Sequence, residues 1–393
     1  MNELDALWAF IVAAVVAFTL TPFVTRLAWR LGVVHEPRQR DLTQRPMPLL
    51  GGAAILAAVL VSGALFLPGT EETRGILGGA AAITLIGTID DRYDLHPFVK
   101  LAGQSAAALI PVLAGVRVEN VTLPFIDPLD LGDWGIPLTL LGLVTVMNVV
   151  NFTDGVDGLA AGVCTISAAT FAVIALSLDR DPAGVLAALT AGAALGFLWH
   201  NFHPASIFMG DAGSNLLGLL LGCVAIQGVL KTAAVVALFF PLMILAVPAL
   251  DATFVVAKRI KYGRPVYRAD SWHFHHRFAN IGFSQRRTVL YLYGWTLTLA
   301  ALALALRFVP YSDDFGHLHA GWFLVIAAFA VVAIAASLYL VVVLEILKFR
   351  RSREREIRRR VETGEMRALT EAEIEREIER EVETGEFEAV NPD

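Results

Sequence analysis

The sequence predicts an all-α polytopic membrane protein, and three observations carry that prediction. Hydrophobic residues fill 56% of 393 positions and the mean hydropathy is +0.62, too apolar for a soluble chain of this length. Apolar runs long enough for a helix to cross a bilayer recur from one end to the other. Short polar islands interrupt these runs: DDRYD at 90–94, NVVNFTDGVDGLAAG at 148–162, FMGDAGSN at 208–215 and HFHHR at 273–277.

About eleven transmembrane helices are expected, at 6–29, 49–67, 75–89, 98–115, 135–150, 159–178, 183–200, 213–230, 232–257, 288–308 and 320–347. The first run begins with Glu3 and Asp5 and continues toward Arg26 with no small-residue cleavage site, so it reads as a span and not as a signal peptide. Pro111, Pro241 and Pro248 fall inside spans, which a bundle tolerates when neighbouring helices satisfy the freed carbonyls. Cys164 and Cys223 both lie in apolar stretches and are expected to pack. Alternation of Val116, Val118, Val121 and Leu123 in the proline-containing connection 116–135 suggests a short external hairpin.

Orientation follows from the basic residues, which are retained on the cytoplasmic side. Arg30, Arg38, Arg40 and Arg45 follow the first span, and a basic set from Lys258 to Arg287 follows the ninth. The alternate connections are acidic, with Glu71, Glu72, Asp179, Asp181, Asp313 and Asp314. The N-terminus is therefore expected outside and the C-terminus in the cytoplasm. That assignment, made from charge, puts all four polar islands on the cytoplasmic face.

Asp90, Asp91, Asp154, Asp157 and Asp211 gather five carboxylates into three of the islands, more negative charge than a membrane edge collects without a cation. Hard oxygen ligands favour magnesium, with manganese as the alternative. The plainer reading makes Asp90 and Asp154 helix caps. The glycines of TDGVDGLAAG and GDAGSN permit close approach of backbone to an anion at a helix start, which suits a diphosphate. His273, His275, His276 and Arg277 offer a grip on phosphate or sugar; lipid head groups and zinc are the other readings. The remaining histidines, His35, His96, His200, His203, His317 and His319, are ungrouped and are assigned no chemistry.

These islands, preceded by Pro46–Gly52 in RPMPLLGG, resemble in order the motifs of the polyprenyl-phosphate N-acetylhexosamine-1-phosphate transferases, glycosyltransferase family 4. The resemblance covers residues 1 to about 347. It implies an eleven-helix bundle in the cell membrane with its active site facing the cytoplasm. It also implies that a polyprenyl phosphate attacks the β-phosphorus of a UDP-HexNAc, releasing UMP. By the same resemblance Asp211 and Asn151 hold the metal, and Asp90, Asp91, Asp154 and Asp157 are catalytic. Asn148, Asp94, Gly210, Ser214 and the His273, His275, His276 and Arg277 cluster bind substrate. HxHHR with an arginine resembles the undecaprenyl-phosphate GlcNAc-1-phosphate transferase branch more than the branch that makes lipid I. Ser271-Trp272 before His273 departs from the family pattern and bears on the choice of sugar.

Other classes remain as alternatives. A transporter would carry its charges near the membrane midplane, whereas these acids lie at one face. An inactive scaffold would work through its tail, 348–393, a cytoplasmic segment distinct from the transmembrane domain 1–347. Lys348–Arg360 holds eight basic and two acidic residues, and Val361–Asp393 three basic and twelve acidic. EREIRRRVETGEMRAL at 354–369 returns as EREIEREVETGEFEAV at 375–390, a helical repeat offset by 21 residues that would allow a homodimer. No nucleic-acid partner is expected.

Overall fold

The computed structural model describes residues 3–37, 45–121, 129–228, 284–310 and 319–335, together with positions 249, 253 and 337. The α-helices among the described residues are α1 (Glu3–Leu31), α2 (Gly51–Phe66), α3 (Glu71–Tyr93), α4 (Pro97–Leu113), α5 (Gly135–Thr153), α6 (Leu159–Leu176), α7 (Asp181–Asn201), α8 (Gly210–Gly228) and α9 (Gln285–Phe308), then α10 (Ala320–Ala335). Ten of the eleven expected spans coincide with these helices, and 232–257 lies outside the described residues except at 249 and 253. Among the described residues five helices, α1, α5, α6, α7 and α9, are long and apolar enough to cross a membrane.

Local chemistry explains several helix starts. Thr70 accepts a hydrogen bond from Thr73 N (3.2 Å), and Glu71 and Glu72 fill the first turn of α3, where the helix dipole favours negative charge. Ser284 caps α9 by accepting from Arg287 N. Pro97 and Pro182 stand in the first turns of α4 and α7, where no backbone donor is lost.

Burial then sorts the helices. α8 is buried on nearly every side, from Ala212 through Ile226, and packs against α2, α3, α5, α6 and α7. α1 is two-faced. Ala6, Ala9, Ala13 and Ala17 form a buried stripe against α7, while Leu4, Trp8, Phe18 and Phe23 point outward. Across that stripe Gly192 and Gly196 lie against the backbone of Phe10 and Ala14, so close that an added Cβ would overlap the Phe10 and Ala14 carbonyls. Small residues matter here because helices in lipid associate by packing and not by escape from water. The outward side chains, including Leu65, Leu85, Leu141 and Trp199, form an apolar exterior of the kind that lipid solvates.

Two short antiparallel pairs complete the fold. β1 (Val34–His35) pairs with β2 (Met47–Pro48), Val34 opposite Pro48, and brings the end of α1 to the start of α2. β3 (Asn120–Val121) pairs with β4 (Leu129–Asp130), which realises the expected hairpin in 116–135. Cys164 and Cys223 are buried free thiols, as their apolar surroundings predicted. The basic and acidic tail lies outside the described residues.

Overpacking the α1–α7 contact should destabilise the bundle. Gly192→Val is expected to cost about 1–3 kcal/mol, seen as a lower melting temperature in detergent, whereas Trp8→Ala on the exposed face should change stability by only about 0.5 kcal/mol.

Candidate active site

The first turn of α8 is the fixed point of the polar end. Gly210 starts it with φ +70°, a left-handed backbone open to glycine, and an added Cβ there would strike the Asp91 carboxylate. That carboxylate caps the helix from α3: Asp91 Oδ1 accepts from Asp211 N at 2.7 Å and Oδ2 from Ala212 N at 3.2 Å. A negative group at a helix N-terminus satisfies otherwise orphaned donors and faces the positive end of the dipole. Gly87 of α3 and Gly52 of α2 press on Ala212 and Gly213, leaving no room for side chains there. Gly51 N and Gly52 N donate to the carbonyls of Phe208 and Met209 (3.1 and 3.0 Å), and Phe208 N donates to Pro48 O (2.9 Å). The Pro46–Gly52 motif therefore works as a backbone strap around the approach to α8.

Asp211, so placed, meets two other helices. Its Oδ2 pairs with the Lys100 ammonium of α4, and its Oδ1 accepts from Asn151 Nδ2 of α5. Asn151 also donates to Ser214 Oγ (2.9 Å), whose hydroxyl donates back to Gly210 O. Asp90 approaches the same ammonium, with its Oδ2 2.9 Å from Lys100 Nζ, and its Oδ1 accepts from Leu95 N at 2.8 Å. Asp90 is 6% exposed, whereas Lys100 and Asp211 are 22% and 28% exposed, so the cluster has a buried back and an open front.

A second group braces the neighbouring loop. Asp154 follows α5 as its C-cap residue. Burial, with the charges of Asp211 and Asp157 adding to it, lifts the Asp154 carboxyl to about 8. Asp157 is buried and its Oδ2 lies 2.8 Å from His203 Nδ1 while accepting from Ala205 N at 3.1 Å. Gly158 N donates to Asn201 Oδ1 (3.0 Å), Tyr293 OH donates to Gly158 O (2.6 Å), and Arg286 Nε donates to His203 O (3.1 Å). These bonds tie the 154–158 loop to the 202–207 segment and to α9.

Residues 73–229, which carry Asp90, Asp91, Lys100, Asn151, Asp154, Asp157 and Asp211, match glycosyl transferase family 4. The chain is 38% identical over 301 residues to the probable undecaprenyl-phosphate N-acetylglucosaminyl 1-phosphate transferase of Bacillus subtilis, covering 75% of this chain and 84% of that protein. It belongs to glycosyl transferase family 4. The decaprenyl-phosphate N-acetylglucosaminephosphotransferase of Mycobacterium leprae is 38% identical over 314 residues, 72% of this chain and 79% of its own. A phospho-N-acetylmuramoyl-pentapeptide-transferase of Desulforudis audaxviator is 34% identical over 331 residues, 76% and 95% of the two chains. The apolar helices and these relatives together make this family member a multi-pass membrane protein.

Of the site residues expected from sequence, Asp90, Asp91, Asn151, Asp211, Gly210 and Ser214 come together around the α8 N-terminus. Asp154 and Asp157 stand in the adjoining loop. Asp94 is exposed at the C-cap of α3, in the left-handed region at φ +50°. Asn148 lies deeper, donating to Gln104 Oε1 (2.9 Å) and Val144 O (2.8 Å). His273, His275, His276 and Arg277 lie outside the described residues. Lys100 is the cluster's cation and was missed from sequence, although a single charge inside the apolar run 97–113 was there to be read. His203, left without chemistry, is the partner of Asp157.

Asp154 gives a pH prediction. Its folded-state value of about 8 stands above the ordinary 3.8, so between these values the folded protein keeps a proton that the unfolded chain has released. Its contribution therefore makes stability fall as pH rises through that window and level off above it. In detergent without divalent cations, the melting temperature of Asp154→Asn should decline less than wild type between about pH 5 and pH 8.

Proposed function

We propose that the protein transfers N-acetylglucosamine-1-phosphate from UDP-GlcNAc to polyprenyl phosphate, releasing UMP and leaving a lipid-diphosphate sugar that begins cell-wall or surface-glycan assembly. The observation that carries this reading is the convergence of Asp211, Asp90, Lys100 and Asn151 from four helices at one end of an apolar bundle. The acylglucosamine choice is supported by the names of the Bacillus and Mycobacterium relatives and by Arg277 in the HFHHR island.

The reaction forms one P–O bond and breaks another. An oxygen of the lipid phosphate adds to the β-phosphorus of the nucleotide sugar, the α–β bridge opens, and UMP departs with the bridging oxygen. Such transfer needs positioning and charge neutralisation more than covalent participation by the protein. Lys100 supplies a positive charge beside the acids, where a diphosphate would carry its negative charge. Asp91 holds the α8 N-terminus, and with it Asp211, in place. Asp90 is suited to orient the lipid phosphate or receive its proton, and since a phosphate's second pKa is near 6 little basicity is required. Asp157 acts through His203 and Ala205 to fix the loop that bears Asp154.

Magnesium, with manganese as substitute, fits this donor set. Among the described residues no three His, Cys, Asp or Glu groups form a closed cage, but magnesium ordinarily takes only one or two carboxylates and completes its shell with water and phosphate. Asp90, whose buried Oδ2 lies 2.9 Å from the Lys100 ammonium, and Asp211 would supply the carboxylate oxygens, with the Asn151 side chain beside them. When bound, the ion would neutralise the diphosphate and stabilise the leaving phosphate.

The loop charges support eleven spans with the N-terminus outside and this end of the bundle in the cytoplasm. They support 348–393 as a separate cytoplasmic tail.

The deciding assay measures UMP release by purified protein with polyprenyl phosphate, offering UDP-GlcNAc and UDP-MurNAc-pentapeptide separately. Release from UDP-GlcNAc alone is expected, lost on chelation of divalent cations; release only from the pentapeptide nucleotide would reassign the donor, and release from neither would sink the transferase reading. Asp211→Asn and Lys100→Met should each lower kcat on the order of 100-fold or more. Wild-type rates in either variant would remove that residue from the mechanism.

A further inference from the structure

Beneath the charged cluster lies a second polar layer built by three of its four helices. α4 contributes Lys100 to the first layer and Gln104 to the second; α5 contributes Asn151 and Asn148; α8 contributes Asp211 and Asn215. Each pair is three or four residues apart, which on a helix means one face and one turn.

Gln104 is the centre of the deeper layer. It is 1% exposed, as is Asn215. Its Nε2 donates to Asn215 Oδ1 at 2.7 Å and makes a longer contact to Asn148 Oδ1 at 3.5 Å, and its Oε1 accepts from Asn148 Nδ2 at 2.9 Å. The outer valences are filled by the helices that carry the reactive layer. Asn215 Nδ2 donates to Asp211 O at 2.8 Å, and Asn148 Nδ2 donates to Val144 O at 2.8 Å.

Apolar helix packing tolerates small axial slips, because a methyl group meets another methyl group after a shift nearly as well as before. Directional amide bonds do not. Advancing α4 by one residue, about 1.5 Å along its axis, would pull Gln104 away from both partners at once. The same shift would draw the Lys100 ammonium away from Asp211 one turn above.

We infer that Gln104 is a positioning residue for the transfer reaction: its amide bonds to Asn148 and Asn215 lock the relative register of α4, α5 and α8, and so hold Lys100, Asn151 and Asp211 at reacting distance. The inference rests on the transferase reading, and it gives Asn148 a role inside the protein in place of substrate contact. Neither Gln104 nor Asn215 touches the reacting groups through its own side chain.

The test compares wild type, Gln104→Met and Val112→Ala, all purified in detergent, by melting temperature and by UMP release from UDP-GlcNAc. Gln104→Met keeps the side-chain length and removes both amide bonds. Val112→Ala loosens the same helix two turns further along, at a buried apolar position away from the amides. Gln104→Met should lower kcat by about 10- to 100-fold while KM for UDP-GlcNAc moves by only about threefold. Val112→Ala should lower the melting temperature and leave kcat within about twofold of wild type. The Gln104→Met and Asn215→Leu losses should also overlap, the double variant being little slower than the worse single one. If Gln104→Met does not fold, Gln104→Glu takes its place, since its carboxylate keeps the acceptor facing Asn148 and cannot donate to Asn215. A Gln104 variant with wild-type kcat, losses that multiply, or an equal kcat loss in Val112→Ala would each overturn the inference. Wild type without UMP release would instead overturn the transferase reading beneath it.

Discussion

The ammonium of Lys100 stands between the carboxylates of Asp90 and Asp211, and without it two negative charges would face each other at the end of an apolar bundle. Water cannot dilute that repulsion well where Asp90 is almost wholly enclosed. The rest of the polar end is arranged around this constraint. Asp91 is turned away from the ammonium and spends its charge on the α8 backbone. Asn151 offers a neutral donor where a further charge would upset the balance.

Asp90 and Asp91 show how adjacent residues of one motif take up different work. Neighbours on a helix point about 100° apart, so one carboxylate faces α4 and the other faces the first turn of α8. The glycines at 52, 87 and 210 bring the three helix backbones near enough for that division to hold. Sequence motifs separated by some 160 residues, Pro46–Gly52 and Phe208–Asn215, are thus two sides of one backbone contact.

How much of this was legible in the sequence follows from which forces leave a local trace. Bilayer-length apolar runs fixed the ten described helices, because hydrophobic length is a property of consecutive residues. The polar islands marked the site for the same reason, since charge among apolar residues stands out. Lys100 and Gln104 were passed over because each stands inside an apolar run, and Asn215, though part of the 208–215 island, was given no role, since the meaning of each lies in which other helix it faces. The division of labour between Asp90 and Asp91, and the pairing of Asp157 with His203, depended on tertiary geometry that no spacing encodes. Asp154 stands as the C-cap residue of α5 through its backbone N–H, which donates to Asn151 O, and not as a side-chain cap.

The burial of α8 on nearly every side has a consequence for motion. A helix enclosed by its neighbours in this way opens to solvent only with the whole bundle, so its amide hydrogens belong with the slowest-exchanging in the protein. The floor of the site is therefore rigid on the timescale of a catalytic cycle. Substrates of different size must be accommodated by the peptide segments around it, and among the described residues 154–158 and 202–207 rest on side-chain bonds instead of helix ladders.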